Sequence, residues 1–394
     1  MRILHLGTGF LPVSASTGRS VETTVYELTR HLVQANIDVD IVDIKTNDSR
    51  GDTAVNFHEV GVPPLKGTNI FSYFLKIIWF SLRLFPVLNR LTRNSEISII
   101  HAHSQFPAAV ALLACRISHR KVPVVYTAHN PYLLAAPGIA NRLKHTLIEG
   151  WVLRSVDRVI AQTDTVGKEL VERFRVSPQK IAQVFAGIDI EGIDAFIRQH
   201  PHNGSGRFTV LCPAVINPRK NQLAVVESIP AVVKNCPGCR FVFAGAIDDR
   251  AYYEKIERVI KEQDLSDYVT FTGQVPLEEL YQQYRDATAL VFPTHYETQG
   301  KVLIEAMAFG LPVIASRIGP IMDVVSLQKG SAVLFEPDDT EELTAAIRKV
   351  LEDESMRASL SVLGRKLASS RFSWSRIASD MLSVYRELVQ DTNI

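Results

Sequence analysis

Short β-branched runs alternate with helical patterns along the first half of the chain. The strand-like "RILHLG" is followed by the amphipathic "SVETTVYELTRHLVQA" and then by "DVDIVDI". The runs "ISIIHAH", "VPVVYTAH" and "DRVIAQT" follow the same scheme. This alternation predicts parallel strands covered by helices on both faces.

The second half repeats the scheme after the polar, Gly- and Pro-containing stretch at 200–207, which predicts a linker. Its strand-like runs are "RFTVLCPAV", "RFVFAGA", "YVTFTG", "ALVFPT", "LPVIAS" and "AVLFE". We therefore predict an α/β protein with two doubly wound, Rossmann-like domains at 1–195 and 206–373, followed by a helix at 374–394. Ligands of such sheets bind beyond the carboxyl ends of the strands, so two facing domains predict a cleft.

Composition narrows the function classes. The 394 residues are 46% apolar and 22% charged, which is typical of a soluble globular protein, and the net charge of +1 gives no field that favours nucleic acid. The opening "MRILHLGTGF" predicts a buried strand rather than a signal peptide, and no apolar run is long enough to span a bilayer. We expect a cytoplasmic protein whose four cysteines, including the Cys236–Cys239 CxxC pair, are free thiols.

The segment 69–93 is strongly apolar and carries regularly spaced cations. Lys76, Arg83 and Arg90 recur every seven residues, so a helix would place them on one face, and Pro86 predicts a kink or a restart. Two interpretations stay open. One is a basic amphipathic helix at the inner surface of an anionic membrane, and the other is a buried helix with solvated cations.

Two glycine-containing loops lie in the first domain. "GTGFLP" offers Gly7 and Gly9 after the first strand, but Pro12 occupies the place of the third glycine of a dinucleotide fingerprint, which disfavours that site. "SASTGRSVETTVYEL" places Gly18 before a helix. Backbone N–H groups and the helix N-terminus favour a phosphate there, unless the nearby serines act only as caps.

The stretch 294–316, "THYETQGKVLIEAMAFGLPVIAS", predicts a strand end, a loop, a helix from about 300 to 309 and a further strand. The first-turn N–H groups of Gly300, Lys301 and Val302 lack helical partners, so they can bind an anion. This geometry predicts a phosphate-binding helix N-terminus at the carboxyl end of a strand.

Two carboxylates accompany these donors. A diphosphate would repel Glu297, which should instead accept hydrogen bonds from hydroxyl groups, so a sugar attached to a diphosphate satisfies both demands. Glu305 follows among apolar neighbours and needs a partner, for example a second diol such as a ribose.

The same stretch resembles the signature of the retaining glycosyltransferases of family four, the glycogen-synthase-like group with the GT-B fold. Its two glutamates, separated by seven residues, are Glu297 and Glu305. "VTFTGQVPLEELYQQYRDATALVFPT" and "RFSWSRIASDMLSVYREL" are also similar to stretches of that family, so the resemblance covers nearly the whole chain. It implies an acceptor-binding first domain, a donor-binding second domain and a last helix that crosses back to the first.

The resemblance also implies an activity. A hexosyltransferase-like enzyme of this family moves a sugar from a nucleotide-diphosphate sugar (UDP-, GDP- or ADP-sugar) to an acceptor hydroxyl with retention, in the biosynthesis of polysaccharides, glycolipids or other glycoconjugates. By matched position, Glu297 holds hydroxyls of the transferred sugar and Glu305 holds the ribose. The backbone of Gly300, Lys301 and Val302 binds the diphosphate.

Further roles are implied in the same way. Lys220 and Gly18 match residues at the phosphates, the backbone near Val275 meets the nucleobase, and His129 lies near the reacting centre.

The chain departs from the family in its cations, because Arg219 stands beside Lys220 and the usual arginine a few residues earlier is absent. It also has Thr17 in place of a loop glycine, and Gln299 in place of an aromatic residue of the sugar pocket.

Charge development suggests the mechanism. The leaving diphosphate gains negative charge that Lys220, Arg219 and the helix N-terminus can stabilise, so we expect neither a metal ion nor another cofactor. The resemblance implies attack on the same face of the sugar, with the leaving phosphate accepting the proton.

The candidate catalytic residues are Glu297, His129, Lys220 and Arg219. A sugar phosphorylase, a nucleotide-sugar epimerase and a non-catalytic subunit are the alternatives.

Overall fold

A computed structural model describes the chain at residues 1–14, 20–46, 55–62, 70–94, 97–118, 121–129, 139–201 and 207–392. The contacts divide the chain into two compact units. Unit 1 is Met1–Gly187 together with Trp374–Ile394, and unit 2 is Ile188–Ser373. Each unit is built on a parallel sheet with helices, which confirms the predicted α/β class.

Unit 1 contains a seven-stranded parallel sheet. Its strands are β1 (Arg2–Leu6), β2 (Asp38–Ile44), β3 (Asn56–Val60), β4 (Ile97–Ala102), β5 (Val124–Thr127), β6 (Arg158–Ala161) and β7 (Ile181–Gln183), and their order is β3-β2-β1-β4-β5-β6-β7. Its helices are α1 (Ser20–Gln34), α2 (Ile70–Asn94), α3 (Gln105–Ser118), α4 (Ile139–Ser155) and α5 (Asp164–Phe174). The adjacent Ile99 and Ile100 on β4 are both fully buried, as expected where helices cover both faces of a sheet.

Unit 2 contains a six-stranded parallel sheet. Its strands are β8 (Thr209–Pro213), β9 (Arg240–Ala244), β10 (Val269–Gly273), β11 (Ala289–Phe292), β12 (Val313–Ser316) and β13 (Val333–Phe335), in the order β10-β9-β8-β11-β12-β13. Its helices are α6 (Ile190–Gln199), α7 (Gln222–Val233), α8 (Arg250–Glu262), α9 (Leu277–Asp286), α10 (Lys301–Ala308), α11 (Gly319–Val325), α12 (Thr340–Glu352) and α13 (Glu354–Arg371). All strands predicted for this half are present, and α10 matches the predicted bounds to within one residue at each end.

The two edge strands of the first sheet, β3 and β7, were absent from the predicted elements. The sequence of β3, "NFHEV", mixes polar and half-exposed positions, and β7 has only three residues, none of which is buried. An edge strand has a single hydrogen-bonded neighbour and less apolar cover, so it lacks the apolar run on which the other predictions rested.

The boundary between the units lies earlier in the chain than the predicted 195. Helix α6 belongs to unit 2, where the ring of Phe196 makes edge contacts with Tyr281 and Phe309 at centroid distances of 5.5 and 6.1 Å. Asp194 on the same helix forms an ion pair with Arg365 of α13. These contacts bind α6 to unit 2, although it precedes the polar stretch that predicted the linker.

The last helix, α14 (Trp374–Thr392), packs on unit 1. Its buried face includes Trp374, Met381 and Tyr385, which share a core with Leu28 of α1 and Ile99 of β4. Trp374 also covers Gly187, where a Cβ would lie only 2.5 Å from the indole ring.

Helix α2 is continuous through Pro86, so the predicted restart does not occur. Its inner face is buried at Phe80, Leu84 and Leu88. Proline removes the hydrogen bond to the carbonyl of Leu82, four residues earlier, but Leu82 is 66% exposed and water can replace that donor. Among the described residues, no helix combines the length and apolarity that crossing a bilayer requires.

The packing of α14 predicts a large stability loss for Trp374→Ala. Trp374 is 3% exposed, and removing such a ring from a core costs roughly 3–5 kcal/mol. The matched control is Trp79→Ala, because Trp79 is 41% exposed and its loss should change the unfolding temperature of unit 1 little. Equal calorimetric unfolding temperatures for both variants would contradict the packing of α14 on unit 1.

Candidate functional site

The polar segments that the sequence singled out in unit 2 lie beyond the carboxyl ends of β8 and β11. These strands are neighbours, with Leu290 opposite Leu211, and the strand order reverses between them. Such a switch point leaves a crevice in which α/β sheets bind ligands. The short 3₁₀ helix Pro218–Lys220 follows β8, and the loop 293–300 follows β11.

Lys220 is fixed by the backbone of its turn. Its N–H donates to Asn217 Oδ1 at 3.1 Å. Asn221 ends the turn in the left-handed region, with a φ of 53°, and its Nδ2 donates to the carbonyl of Pro337 at 3.0 Å. The turn therefore fixes the backbone from which the Lys220 side chain extends, and asparagine is among the few residues besides glycine that adopt this conformation readily.

The Lys220 ammonium donates a hydrogen bond to Glu297 Oε1 and lies 5.0 Å from the centroid of the Phe292 ring. The Lys220 and Glu297 side chains are only 11% and 14% exposed. A buried charge is costly unless it is paired, so each of these groups holds the other in place. The predicted sugar-binding carboxylate and the predicted phosphate-binding lysine are thus direct neighbours.

Arg219 joins the two loops. Its carbonyl accepts a hydrogen bond from His295 N–H at 2.9 Å, and its Nη1 donates to the carbonyl of Tyr296 at 3.0 Å. The same Nη1 lies 3.7 Å from Glu297 Oε1. Two cations therefore surround one carboxylate, which leaves a net positive charge to attract an anion.

The N-terminus of α10 supplies further donors. Gly300 caps the helix with a φ of 86°, a left-handed conformation that favours glycine. Its carbonyl accepts hydrogen bonds from Leu303 N–H and Ile304 N–H, at 3.0 and 3.3 Å. The N–H groups of Lys301 and Val302 precede these bonds and are the first-turn donors of the helix.

Glu305 lies one turn further along α10 and is half-buried. Tyr284 Oη donates a hydrogen bond to Glu305 Oε2 at 3.3 Å. Burial raises the pKa of Glu305 above its usual range, and Lys301, one turn earlier, opposes this shift. The partner that the sequence demanded for Glu305 is thus supplied in part by Tyr284, which the sequence did not single out.

The other predicted donor-binding residues of unit 2 lie on neighbouring segments. Gln299 directly precedes Gly300 and is 2% exposed. Val275 is half-buried in the turn between β10 and α9, at the same carboxyl edge of the sheet. Their roles towards a ligand, like those of the residues above, stay predictions.

The remaining predicted site residues belong to unit 1. Gly18 lies outside the described residues. His129 follows β5 and is half-buried, with Nε2 3.1 Å from His103 Nδ1. His103 Nε2 in turn lies 3.0 Å from His5 Nδ1, and the Gln162 amide lies 3.4 Å from His129 Nδ1. We call Gln162, His129, His103 and His5 the histidine chain.

A further buried histidine, His101, lies beside the chain. Its ring nitrogens contact Tyr385 Oη at 2.5 Å and Thr127 Oγ1 at 2.7 Å. His5, His101 and His103 were not among the residues predicted from the sequence. The sequence "HAH" could have predicted that His101 and His103 lie together, because alternation along a strand places residues i and i+2 on one face. Placing His5 of β1 beside them also requires knowledge of the strand order.

Two family models match the chain. One, described as "Glycosyltransferase Family 4", matches residues 21–191, and the other, described as "Glycosyl transferases group 1", matches residues 194–367. Among curated relatives, D-inositol 3-phosphate glycosyltransferase of Saccharomonospora viridis is 27% identical over 304 residues, which cover 73% of this chain and 70% of that protein.

Solved structures with a similar fold include those of a sucrose-phosphate synthase and of HepE. Sucrose-phosphate synthase from Thermosynechococcus elongatus matches with a TM-score of 0.79 and 23% identity over 99% of both chains. HepE from Anabaena, in complex with UDP and glucose, matches with a TM-score of 0.73 and 17% identity over 98% of this chain and 100% of that chain. At these identities the likeness concerns the fold alone, and it confirms the predicted GT-B architecture.

The buried histidines predict acid sensitivity. Burial lowers the pKa of His5 to about 3, and the pKa values of His101 and His103 well below their usual range. In the unfolded chain these rings bind protons near pH 6.5. Their contribution to stability is therefore fully present above about pH 6.5 and is lost as the pH falls towards 3.

We expect the unfolding temperature, measured by calorimetry, to fall as the pH is lowered from about 7 to about 5. His5→Gln removes one such group. It should reduce the slope of the unfolding free energy against pH by up to about 1.4 kcal/mol per pH unit. His295→Gln, at a more exposed histidine of unit 2, is the control. An identical slope in His5→Gln and the wild type would contradict a neutral, buried His5.

Proposed function

The chain belongs to the family-4 glycosyltransferases of the GT-B fold, and from this premise we propose that unit 2 binds a nucleotide-diphosphate sugar as donor. The observation that carries the proposal is the cluster of Arg219, Lys220 and Glu297 beside the N-terminus of α10. The reaction is sugar transfer to an acceptor hydroxyl with retention, as the family predicts.

The cluster suits a ligand with phosphates at one end and hydroxyls at the other. A diphosphate can accept hydrogen bonds from the first-turn N–H groups of α10 and ion pairs from Lys220 and Arg219. It would compete with Glu297 for the Lys220 ammonium. The Glu297 oxygens would then accept hydrogen bonds from hydroxyls of the sugar, because an ionised carboxylate is an acceptor only.

The nucleoside end of the donor fits the other residues at the carboxyl ends of the strands in unit 2. Glu305, already held by Tyr284, offers acceptor oxygens for a ribose diol. The backbone around Val275 is proposed to meet the base, and Gln299 to shape the sugar pocket, both on the grounds of the family resemblance. HepE, a protein of the same fold, was solved with UDP and glucose, which supports a nucleotide sugar as the donor class.

Bond cleavage places negative charge on the leaving diphosphate and positive charge on the anomeric carbon. Lys220, Arg219 and the positive end of α10 would stabilise the leaving group, so we propose that the reaction proceeds without a metal ion. Attack by the acceptor on the face from which the diphosphate leaves would retain the anomeric configuration, with the leaving phosphate accepting the proton of the acceptor hydroxyl. His129 and Gly18 are proposed to act near the transferred sugar and the phosphates by their matched positions.

Glu297→Gln tests the central role. The variant keeps the shape of the side chain but replaces the carboxylate, and we expect kcat/KM to fall about 10²-fold or more in assays of UDP-, GDP- and ADP-sugars. The readout is nucleoside diphosphate released in the presence of an acceptor panel, with and without a chelator. The matched control is Glu254→Gln, because Glu254 is exposed on α8 and forms its ion pair with Arg250 of the same helix.

Full activity in Glu297→Gln with the wild-type unfolding temperature would contradict the assigned site. Phosphate-dependent release of sugar phosphate, or interconversion of the donor without transfer, would instead favour a phosphorylase or an epimerase.

Glu305→Gln separates binding from stability. The raised pKa of Glu305 means that its ionised form costs folding energy as the pH rises above the usual carboxyl range. The amide removes that cost, so we expect a free protein at least as stable as the wild type at neutral pH, together with weaker nucleotide binding. Calorimetric unfolding and titration with nucleoside diphosphate measure the two effects. Lower stability with unchanged nucleotide affinity would refute both expectations.

We also propose that the outer side of α2, α3 and α4 contacts an anionic membrane. These helices pack side by side on one face of the first sheet. Large apolar side chains on all three are exposed: Ile78, Trp79, Leu82, Leu113, Ile117, Leu147, Ile148 and Trp151. Apolar surface of this extent is typical of a binding face.

The charge of these helices favours anionic lipid. Together they carry eight lysines and arginines and a single carboxylate, Glu149. Glu149 is 1% exposed and accepts a hydrogen bond from Tyr126 Oη at 3.3 Å, so it does not reach the surface. Cations without surface carboxylates complement the negative inner leaflet, which supports a cytoplasmic protein at the inner membrane surface and a lipid-linked acceptor.

The arrangement along α2 is that of an interfacial helix. At about 100° per residue, Ile78 and Leu82 lie to one side of Trp79, and Lys76 and Arg83 lie to the other. The Arg83 guanidinium lies 5.2 Å from the centroid of the Trp79 ring. The described part of the helix therefore agrees with both earlier interpretations, with a buried inner face and an apolar, basic outer face.

Leu82→Gln tests the membrane contact. The variant should weaken binding to vesicles that contain phosphatidylserine roughly tenfold, since a buried leucine contributes about 1.5–3 kcal/mol. Val362→Gln on α13 is the matched control, because Val362 is 67% exposed and Leu82 is 66% exposed. High salt should weaken binding further. No binding at low salt, or equal binding by both variants, would refute the proposal.

A further inference from the structure

The histidine chain runs across three neighbouring strands of unit 1. His5 lies on β1 opposite His101 on β4, His103 follows β4, and His129 follows β5. His5 and His103 are buried at 0% and 4% exposure, and Gln162 at 8%. The contacts form a single row, because each link uses one nitrogen of each ring.

Burial keeps the inner rings neutral, and a neutral imidazole has one N–H and one bare nitrogen. A row of neutral rings in which each donates to the next has two consistent arrangements. In one, every ring carries its hydrogen on Nε2 and donates towards His5. In the other, every ring carries its hydrogen on Nδ1 and donates towards Gln162.

Gln162 selects between these arrangements. Its Nε2 group donates to His129 Nδ1, so Nδ1 must be bare and the hydrogen must lie on Nε2. His129 Nε2–H then donates to His103, and His103 Nε2–H donates to His5. The row ends at His5 Nε2, a buried atom without a hydrogen-bond partner among the described residues.

We propose that the histidine chain holds His129 in the tautomer with hydrogen on Nε2, so that Nδ1 is presented as a hydrogen-bond acceptor to a ligand hydroxyl. This proposal rests on the proposed function, in which His129 lies near the transferred sugar. The 3.4 Å contact with Gln162 is the longest in the row, so a hydroxyl that donates at normal distance can replace it. His103 and Gln162 are thus positioning residues.

The same row prevents His129 from passing a proton inward. A second proton that moved inward from His129 would reach His103 and then His5, where a positive charge would be buried. In this proposal His129 accepts a hydrogen bond, and the row does not carry a proton inward from it. This agrees with the proposed mechanism, in which the leaving phosphate takes the proton of the acceptor.

The tautomer can be measured directly. In protein labelled with ¹⁵N-histidine, correlations between ring nitrogens and ring protons distinguish a bare nitrogen from a protonated one, and His129→Asn assigns the signals. We expect a bare Nδ1 in the wild type. Gln162→Glu replaces the amide donor by a carboxylate that only accepts, so the hydrogen should move to Nδ1 of His129.

Kinetics test whether the tautomer matters. Gln162→Glu should lower kcat about tenfold, the loss of one hydrogen bond, with little change in the KM of the donor. His103→Gln retains an oxygen that can accept from His129 Nε2–H, so it should keep the tautomer and more activity than His103→Leu. Tyr385→Phe is the matched control, because it removes the contact with His101 and leaves the row intact.

Three results would overturn the proposal: hydrogen on Nδ1 of His129 in the wild type, unchanged kinetics in Gln162→Glu despite a reversed tautomer, and binding of one equivalent of Zn²⁺. The last is a specific alternative, because ligand atoms of His5, His101 and His103 lie within 4.8 Å of one another. The expected tautomer in a protein without transferase activity would overturn the proposed function and still support the tautomer assignment, so the two failures are distinguishable.

Discussion

Both sheets are parallel and their inner strands are buried on both faces, and this burial confines most polar chemistry to the ends of the strands. Within the strands, the buried carboxylates Asp40 and Asp43 are matched locally: Arg2 contacts Asp40 at 2.5 Å, and Val13 N–H donates to Asp43 at 2.7 Å. At a switch point the connections diverge, and the strand ends there are open to a ligand. Both clusters described above lie at such places.

The two units accommodate buried polar groups in different ways. Unit 2 pairs opposite charges, since Lys220 and Glu297 neutralise each other and Arg219 leaves a positive excess. Unit 1 keeps its groups neutral, since burial holds the pKa values of His5 and His103 far below the usual range. The first arrangement responds to an incoming anion, whereas the second resists an incoming proton.

These properties suit the proposed transfer reaction, in which a diphosphate departs. The leaving group needs positive charge that is already oriented, and the turn at Asn217 and the left-handed cap at Gly300 orient it through the backbone. A residue near the transferred sugar, as proposed for His129, needs to accept hydrogen bonds from hydroxyls without acting as a strong base. In the proposed tautomer, His129 meets that need, with contacts at both of its ring nitrogens.

The sequence by itself determined the alternation of strands and helices, the bounds of α10 and the family signature, because these depend on residues close together in the chain. The tertiary structure decided the edge strands, the boundary before α6 and the partner of Glu305. It also decided the pair of Lys220 and Glu297, 77 residues apart, and the contact of His5 and His103, 98 residues apart. Strand order creates such neighbours, and it follows from how helices cross over a parallel sheet, which no local pattern records.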